Sequence, residues 1–139
     1  MTTRTGGCLC GAVKFSISGP VREVVFCHCS QCRRQTGHFV AASGCADADL
    51  DIDGAESLTW YAASPDAKRG FCSKCGSLMF WKRDGSDKTS IMAGSFDEPS
   101  TLTPGYHICM ADKPSYYEIG DGLKQYATDD REGHADRFE

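Results

Sequence analysis

Cys27, Cys29 and Cys32 fall within six residues, in the stretch Phe26-Cys27-His28-Cys29-Ser30-Gln31-Cys32-Arg33-Arg34-Gln35-Thr36-Gly37. A tetrahedral zinc with bonds of about 2.3 Å to sulfur needs thiolates that converge on one point. Cys27 and Cys29, two apart, project from one side of an extended segment. Cys32 turns back to the same point if the chain tightens there into a first helical turn. The stretch therefore presents three convergent sulfurs and no obvious fourth. A zinc held by three protein ligands keeps a position for water or substrate, as catalytic zinc sites do. Two other readings stay open on these residues alone: a redox-active thiol cluster, and a purely structural site completed by a ligand from elsewhere. His28 points away from its neighbours in an extended segment and reads as a surface group or one standing behind the ligands.

A second set is assembled from distant parts. Cys8-Leu9-Cys10 and Cys72-Ser73-Lys74-Cys75 each offer two thiolates at chelating separation. Cys8, Cys10, Cys72 and Cys75 together would complete a tetrahedron, which reads as a structural zinc. Such a site would pin the N-terminal strand against a central hairpin by closing a long loop, and its binding energy would be folding energy. A thioredoxin-like pair is the rival for Cys72 and Cys75, but no βαβ pattern surrounds them. Cys45 and Cys109 read as small buried apolar residues. His38 and His107 read as strand histidines with local partners, and Trp60, Trp81, Phe80 and Tyr61 as core.

The elements that must position these groups are mostly strands and turns. Val13, Phe15 and Ile17 alternate with Lys14, Ser16 and Ser18, the period of a half-buried strand. After the turn Gly19-Pro20, a strand from Val21 to Phe26 runs into the three-cysteine stretch. A short helix over 30–36 follows, with Gly37 as the residue that ends it in left-handed geometry. Further strands are expected over 38–43, 59–61, 78–81, 89–93 and 106–110, with 68–71 leading into the Cys72–Gly76 knuckle and 83–87 as a hairpin tip. The aspartates of 47–53 lack an EF-hand's glycine and terminal glutamate, so that segment reads as an exposed strand with Leu50 and Ile52 inward.

Length and charge narrow the function classes. A chain of 139 residues fits one domain, expected over 5–126 and followed by a polar tail at 127–139. No stretch is apolar enough for a membrane helix, and the N-terminus has no secretory pattern. The nine cysteines then imply a reducing, cytoplasmic setting where they are metal ligands rather than disulfides. A formal charge of −4 gives no overall attraction for nucleic acid, although Lys68-Arg69 or Arg33-Arg34 could meet a small anion. Oligomeric state is not encoded in any pattern.

Three segments, Gly7-Cys8-Leu9-Cys10-Gly11, Cys27-His28-Cys29-Ser30-Gln31-Cys32-Arg33 and Phe71-Cys72-Ser73-Lys74-Cys75-Gly76, together resemble the glutathione-dependent formaldehyde-activating enzyme family, whose domain is shared with CENP-V-type proteins. The resemblance runs from about Gly6 to Tyr117 and includes Gly105-Tyr106-His107-Ile108. It implies a mainly β fold, a small zinc-binding domain of stacked antiparallel sheets with short helical turns. It also implies two zincs per chain, a structural one on Cys8, Cys10, Cys72 and Cys75 and a catalytic one on Cys27, Cys29 and Cys32. The activity implied is that of a carbon–sulfur lyase, an S-(hydroxymethyl)glutathione synthase, with glutathione as co-substrate. Arg33, Arg34 and Lys68 are then candidates to meet glutathione's carboxylates. The rival classes are a non-enzymatic zinc-stabilised binding module and a thiol redox protein.

Overall fold

The computed structural model describes residues 3–129. These form β1 (Arg4–Gly7), β2 (Lys14–Ile17), β3 (Val24–Cys27), α1 (Ser30–Thr36), β4 (Val40–Ala46), β5 (Leu50–Asp53), β6 (Leu58–Ser64), β7 (Ala67–Cys72), β8 (Leu78–Arg83), β9 (Lys88–Met92), β10 (Pro104–Ile108) and β11 (Lys124–Gln125), with short 3-10 turns between them. The fold is mainly β, as the residue patterns require. A small sheet has the order β1-β2-β5, and a large one the order β11-β10-β3-β4-β9-β8-β7-β6. No helix among the described residues is long and apolar enough to cross a membrane.

The two sheets bury one core between them. Phe15 and Ile17 of β2 face Met79 and Phe80 of β8 and Ile91 of β9, all at or below 3% exposure. The Phe15 ring meets Phe80 edge-on at 5.9 Å and Phe96 at 5.3 Å. Burial of each such side chain stabilises the fold by about 1.5–3 kcal/mol. Leu50 and Ile52 of β5 pack on the same core, as the aspartate-flanked alternation predicts. Tyr61, expected in the core, is 60% exposed. It alternates with Trp60 along β6, and Trp60 takes the inner position against Phe80.

Pairing is antiparallel except at one edge. There β10 runs parallel to β3, with Ile108 opposite Cys27, and β11 runs parallel to β10. The connection from β9 through 93–103 carries the chain across the sheet to the far side of β3, a crossover that parallel pairing needs. β1 and β11 have no alternating pattern and are visible only in the structure. Of the tail expected at 127–139, Ala127 and Thr128 accept hydrogen bonds from the backbones of Ala111 and Cys109. Its residues from 130 onward lie outside those described.

Candidate metal centres and active site

The four-cysteine set sits where the small sheet meets the central hairpins. Cys8 and Cys10 lie in the loop after β1, Cys72 ends β7, and Cys75 lies in the turn before β8. Their sulfurs are all within 4.8 Å of one another, with Cys8–Cys10 at 3.7 Å and Cys10–Cys72 at 3.8 Å. A tetrahedron with bonds of about 2.3 Å has edges of about 3.8 Å, so the donor set fits zinc in both chemistry and spacing. Local donors already face the sulfurs. The Val13 amide donates to Cys8 at 3.3 Å, and the Ser77 hydroxyl is 3.2 Å from Cys75. That hydroxyl and its backbone hold the Cys75 thiol down to about 5, a thiolate prepared for a cation.

The three-cysteine set depends on a change of element at one point. Cys27 ends β3, and Cys29 is the N-cap of α1, its sulfur accepting the Cys32 amide at 3.3 Å. One helical turn then brings Cys32 back, placing the Cys29 and Cys32 sulfurs 3.1 Å apart and all three within 4.8 Å. Gly37 closes the helix with φ 91°, its amide donating to the Arg33 carbonyl at 2.8 Å. Contacts from Cys27 and Cys32, helped by a nearby guanidinium, hold the Cys29 thiol far below its ordinary value. Cys27 is pushed up, first by its hydrogen bond with Cys109, and Cys32 by Cys27 and Cys29. Each of these sulfurs would lose its proton to a metal.

The guanidinium belongs to Arg69 of β7, which is 4% exposed. Its Nη2 donates to Gln31 Oε1 at 2.8 Å and to Cys32 Sγ at 3.4 Å, and its Nη1 donates to Gln35 Oε1 at 3.0 Å. Its Nε has no partner among the described residues. Beside these groups lies a cavity of about 380 Å³, which the three sulfurs, Arg69 and Arg83 all line. That volume is within the range of about 300–1,000 Å³ typical of small-molecule sites.

Arg33, Arg34 and Lys68 do not line this cavity. Arg33 and Arg34 project from the other faces of α1. Lys68 alternates with Arg69 on β7, and its Nζ sits 4.8 Å from the centre of the Trp60 ring instead. The sequence names Lys68-Arg69 as a basic pair but cannot say which of the two turns inward. The partner strands decide that.

Behind the ligands runs a chain of polar groups that no local pattern announces. His28 is 1% exposed, so it is not a surface group. Its Nε2 is 2.8 Å from His107 Nδ1, its Nδ1 is 2.6 Å from the Tyr117 hydroxyl, and His107 Nε2 is 2.7 Å from Asp121 Oδ2. A carboxylate only accepts, so His107 Nε2 carries its proton, His28 Nε2 donates to His107, and Tyr117 donates to His28. Burial, then the neighbouring His107 and Lys113, pushes the His28 pKa down to about 4. His28 is not among the residues that line the cavity.

Comparisons with known proteins agree with this picture. A sequence model described as glutathione-dependent formaldehyde-activating enzyme matches residues 3–112. A Halomonas elongata protein provisionally named a glutathione-dependent formaldehyde-activating enzyme is 33% identical over 127 residues, 82% of this chain and 79% of that protein. A Schizosaccharomyces pombe protein named an uncharacterized lyase is 26% identical over 126 residues, 90% of this chain and 91% of its own. The crystal structure of a Rhodobacter sphaeroides protein superposes with a TM-score of 0.53 at 23% identity, covering 88% of this chain and 98% of that one. That last likeness speaks for the fold.

Proposed function

Because the chain belongs to the glutathione-dependent formaldehyde-activating enzyme family, we propose that it is a zinc-dependent carbon–sulfur lyase-type enzyme acting on glutathione, or a related thiol, and its formaldehyde adduct. In the forward direction the thiol sulfur bonds to the aldehyde carbon, the carbonyl π pair moves to oxygen, and that oxygen takes the proton the thiol gave up. A zinc on Cys27, Cys29 and Cys32 would supply a place for the incoming sulfur and keep it deprotonated near neutral pH. A second zinc, on Cys8, Cys10, Cys72 and Cys75, would hold the domain together.

The observation that carries this reading is that three mutually close sulfurs, against the four of the other set, lie at a cavity with a buried cation at its wall. Arg69 places its charge against Cys32 at the cavity wall, while Arg83 lines the same space. Glutathione carries two carboxylates, so these two arginines, rather than the ones on α1, are the contacts proposed for it. Among the described residues all nine cysteines are free thiols, and such a set works in a reducing compartment such as the cytoplasm.

The test is a cobalt-substituted protein titrated with glutathione, with S-methylglutathione as the control that has no thiol. The cobalt–thiolate charge-transfer band should change with glutathione and stay fixed with the control. NMR exchange between formaldehyde and glutathione should then exceed the spontaneous rate. A band unmoved by glutathione, with no excess exchange, would leave a zinc-stabilised binding module as the better description.

A further inference from the structure

Cys109 has no place in either ligand set, yet it stands at the same cavity. It follows directly on β10, whose last residue Ile108 is paired with Cys27 in the parallel register. It lines the cavity together with Cys27, Cys29 and Cys32, near enough to Cys27 to help push that thiol up. Its backbone has φ 58° and ψ 37°, the left-handed conformation, which no other non-glycine residue takes among those described. Two hydrogen bonds hold it there: its amide donates to the Thr128 carbonyl at 2.9 Å, and its carbonyl accepts from Asp112 at 3.1 Å.

From this placement we propose that Cys109 is a fourth, displaceable ligand of the three-cysteine site, seated there when no thiol substrate is present and exchanged for the substrate's sulfur. The proposal rests on the reading of Cys27, Cys29 and Cys32 as zinc ligands. Its sulfur does not belong to the group lying within 4.8 Å of one another, so the proposal has its side chain turn to join them. The exchange balances: the incoming thiol gives up its proton, the Cys109 sulfur takes it on leaving, and no charge is created. Such a ligand keeps the site closed to water and adventitious metals between turnovers. Its cost is a weaker apparent affinity for substrate, because substrate must displace it.

The test compares cobalt-substituted wild type with Cys109→Ser and Cys109→Ala, without ligand and then with glutathione. The four-cysteine site contributes equally to all three proteins, so differences isolate the other site. Ligand-free variants should show weaker charge-transfer intensity than wild type by one thiolate's share. Glutathione should restore it and should bind the variants about tenfold more tightly than wild type. Zinc X-ray absorption on the unmodified chain gives a reading that no variant can confound: about four sulfurs per zinc averaged over both sites. Identical ligand-free spectra for wild type and variants, or an average near three and a half sulfurs with an oxygen, overturns the proposal. If the spectra are identical but glutathione moves both, the thiol-substrate reading stands without Cys109. If they differ but glutathione moves neither, Cys109 is a permanent ligand, and both the displacement and the thiol-substrate reading fall.

Discussion

A guanidinium at 4% exposure is poorly screened, so the charge of Arg69 acts on Cys32 and on the cavity at nearly full strength. Replacing it with a neutral amide keeps a polar group at the wall and removes that charge. Hydrogen bonds to charged groups contribute about 1.5–3 kcal/mol. Arg69→Gln should therefore raise the KM for glutathione about tenfold, roughly 1.4 kcal/mol, with kcat changed by less than about threefold. Steady-state kinetics that put the loss in kcat instead would assign Arg69 to the chemical step. The same logic applies to Cys29, which is both a proposed ligand and a helix cap. Serine caps at least as well as cysteine, so Cys29→Ser should lose one metal and keep α1.

At the scale of elements, the small sheet is held by close approach. Gly6 of β1 lies so near β2 that a Cβ there would sit 2.3 Å from the Phe15 ring and 2.3 Å from the Ser95 carbonyl oxygen. One neighbour is a core ring and the other is backbone, and neither can give way easily. Gly6→Ala should destabilise the domain by about 2–3 kcal/mol, read as a lower urea midpoint at unchanged slope. The turn after β4 is tied to the β8–β9 hairpin by Asp47, which accepts from Lys82 and, at 2.6 Å, from the Thr89 hydroxyl. Burial pushes the Asp47 carboxyl up, but these two donors outweigh it and leave it lowered from 3.8. A carboxylate lowered on folding stabilises the fold above its unfolded value and loses that contribution as pH falls through the folded one. The melting-temperature gap between wild type and Asp47→Asn should therefore be constant above about pH 4 and close below it. A gap that persists undiminished to pH 2.5 would show that the charge is not what ties the turn.

For the molecule as a whole, the proposed function divides the labour between the two cysteine sets. The four-cysteine set joins the loop after β1 to the turn before β8, and thus the small sheet to the large one. The three cysteines of the other set lie within one segment. Metal analysis should give about two zincs per chain, and a chelator should lower the melting temperature. Cys75→Ser should abolish cooperative unfolding, whereas Cys29→Ser should unfold within a few degrees of wild type, as differential scanning calorimetry would record. Equal damage from both substitutions would dissolve the distinction between a site that folds the protein and one that serves chemistry.

Local order was legible wherever a short-range rule governs it. The period of Val13, Phe15 and Ile17 gives β2 because side chains alternate on any strand, and Cys27, Cys29 and Cys32 converge because a strand end and one helical turn bring them there. The helix over 30–36 and its glycine stop follow from the same local geometry. Tertiary structure alone decided which of Lys68 and Arg69 faces the sulfurs, since that depends on what β6 and β8 leave on each side of β7. It alone set β10 parallel to β3, bringing Cys109 beside Cys27, and joined His28 to His107 and Tyr117 across 79 and 89 residues of chain. Spacing in sequence reports contacts that neighbouring backbone makes; a partner recruited from a distant strand leaves no trace in the spacing.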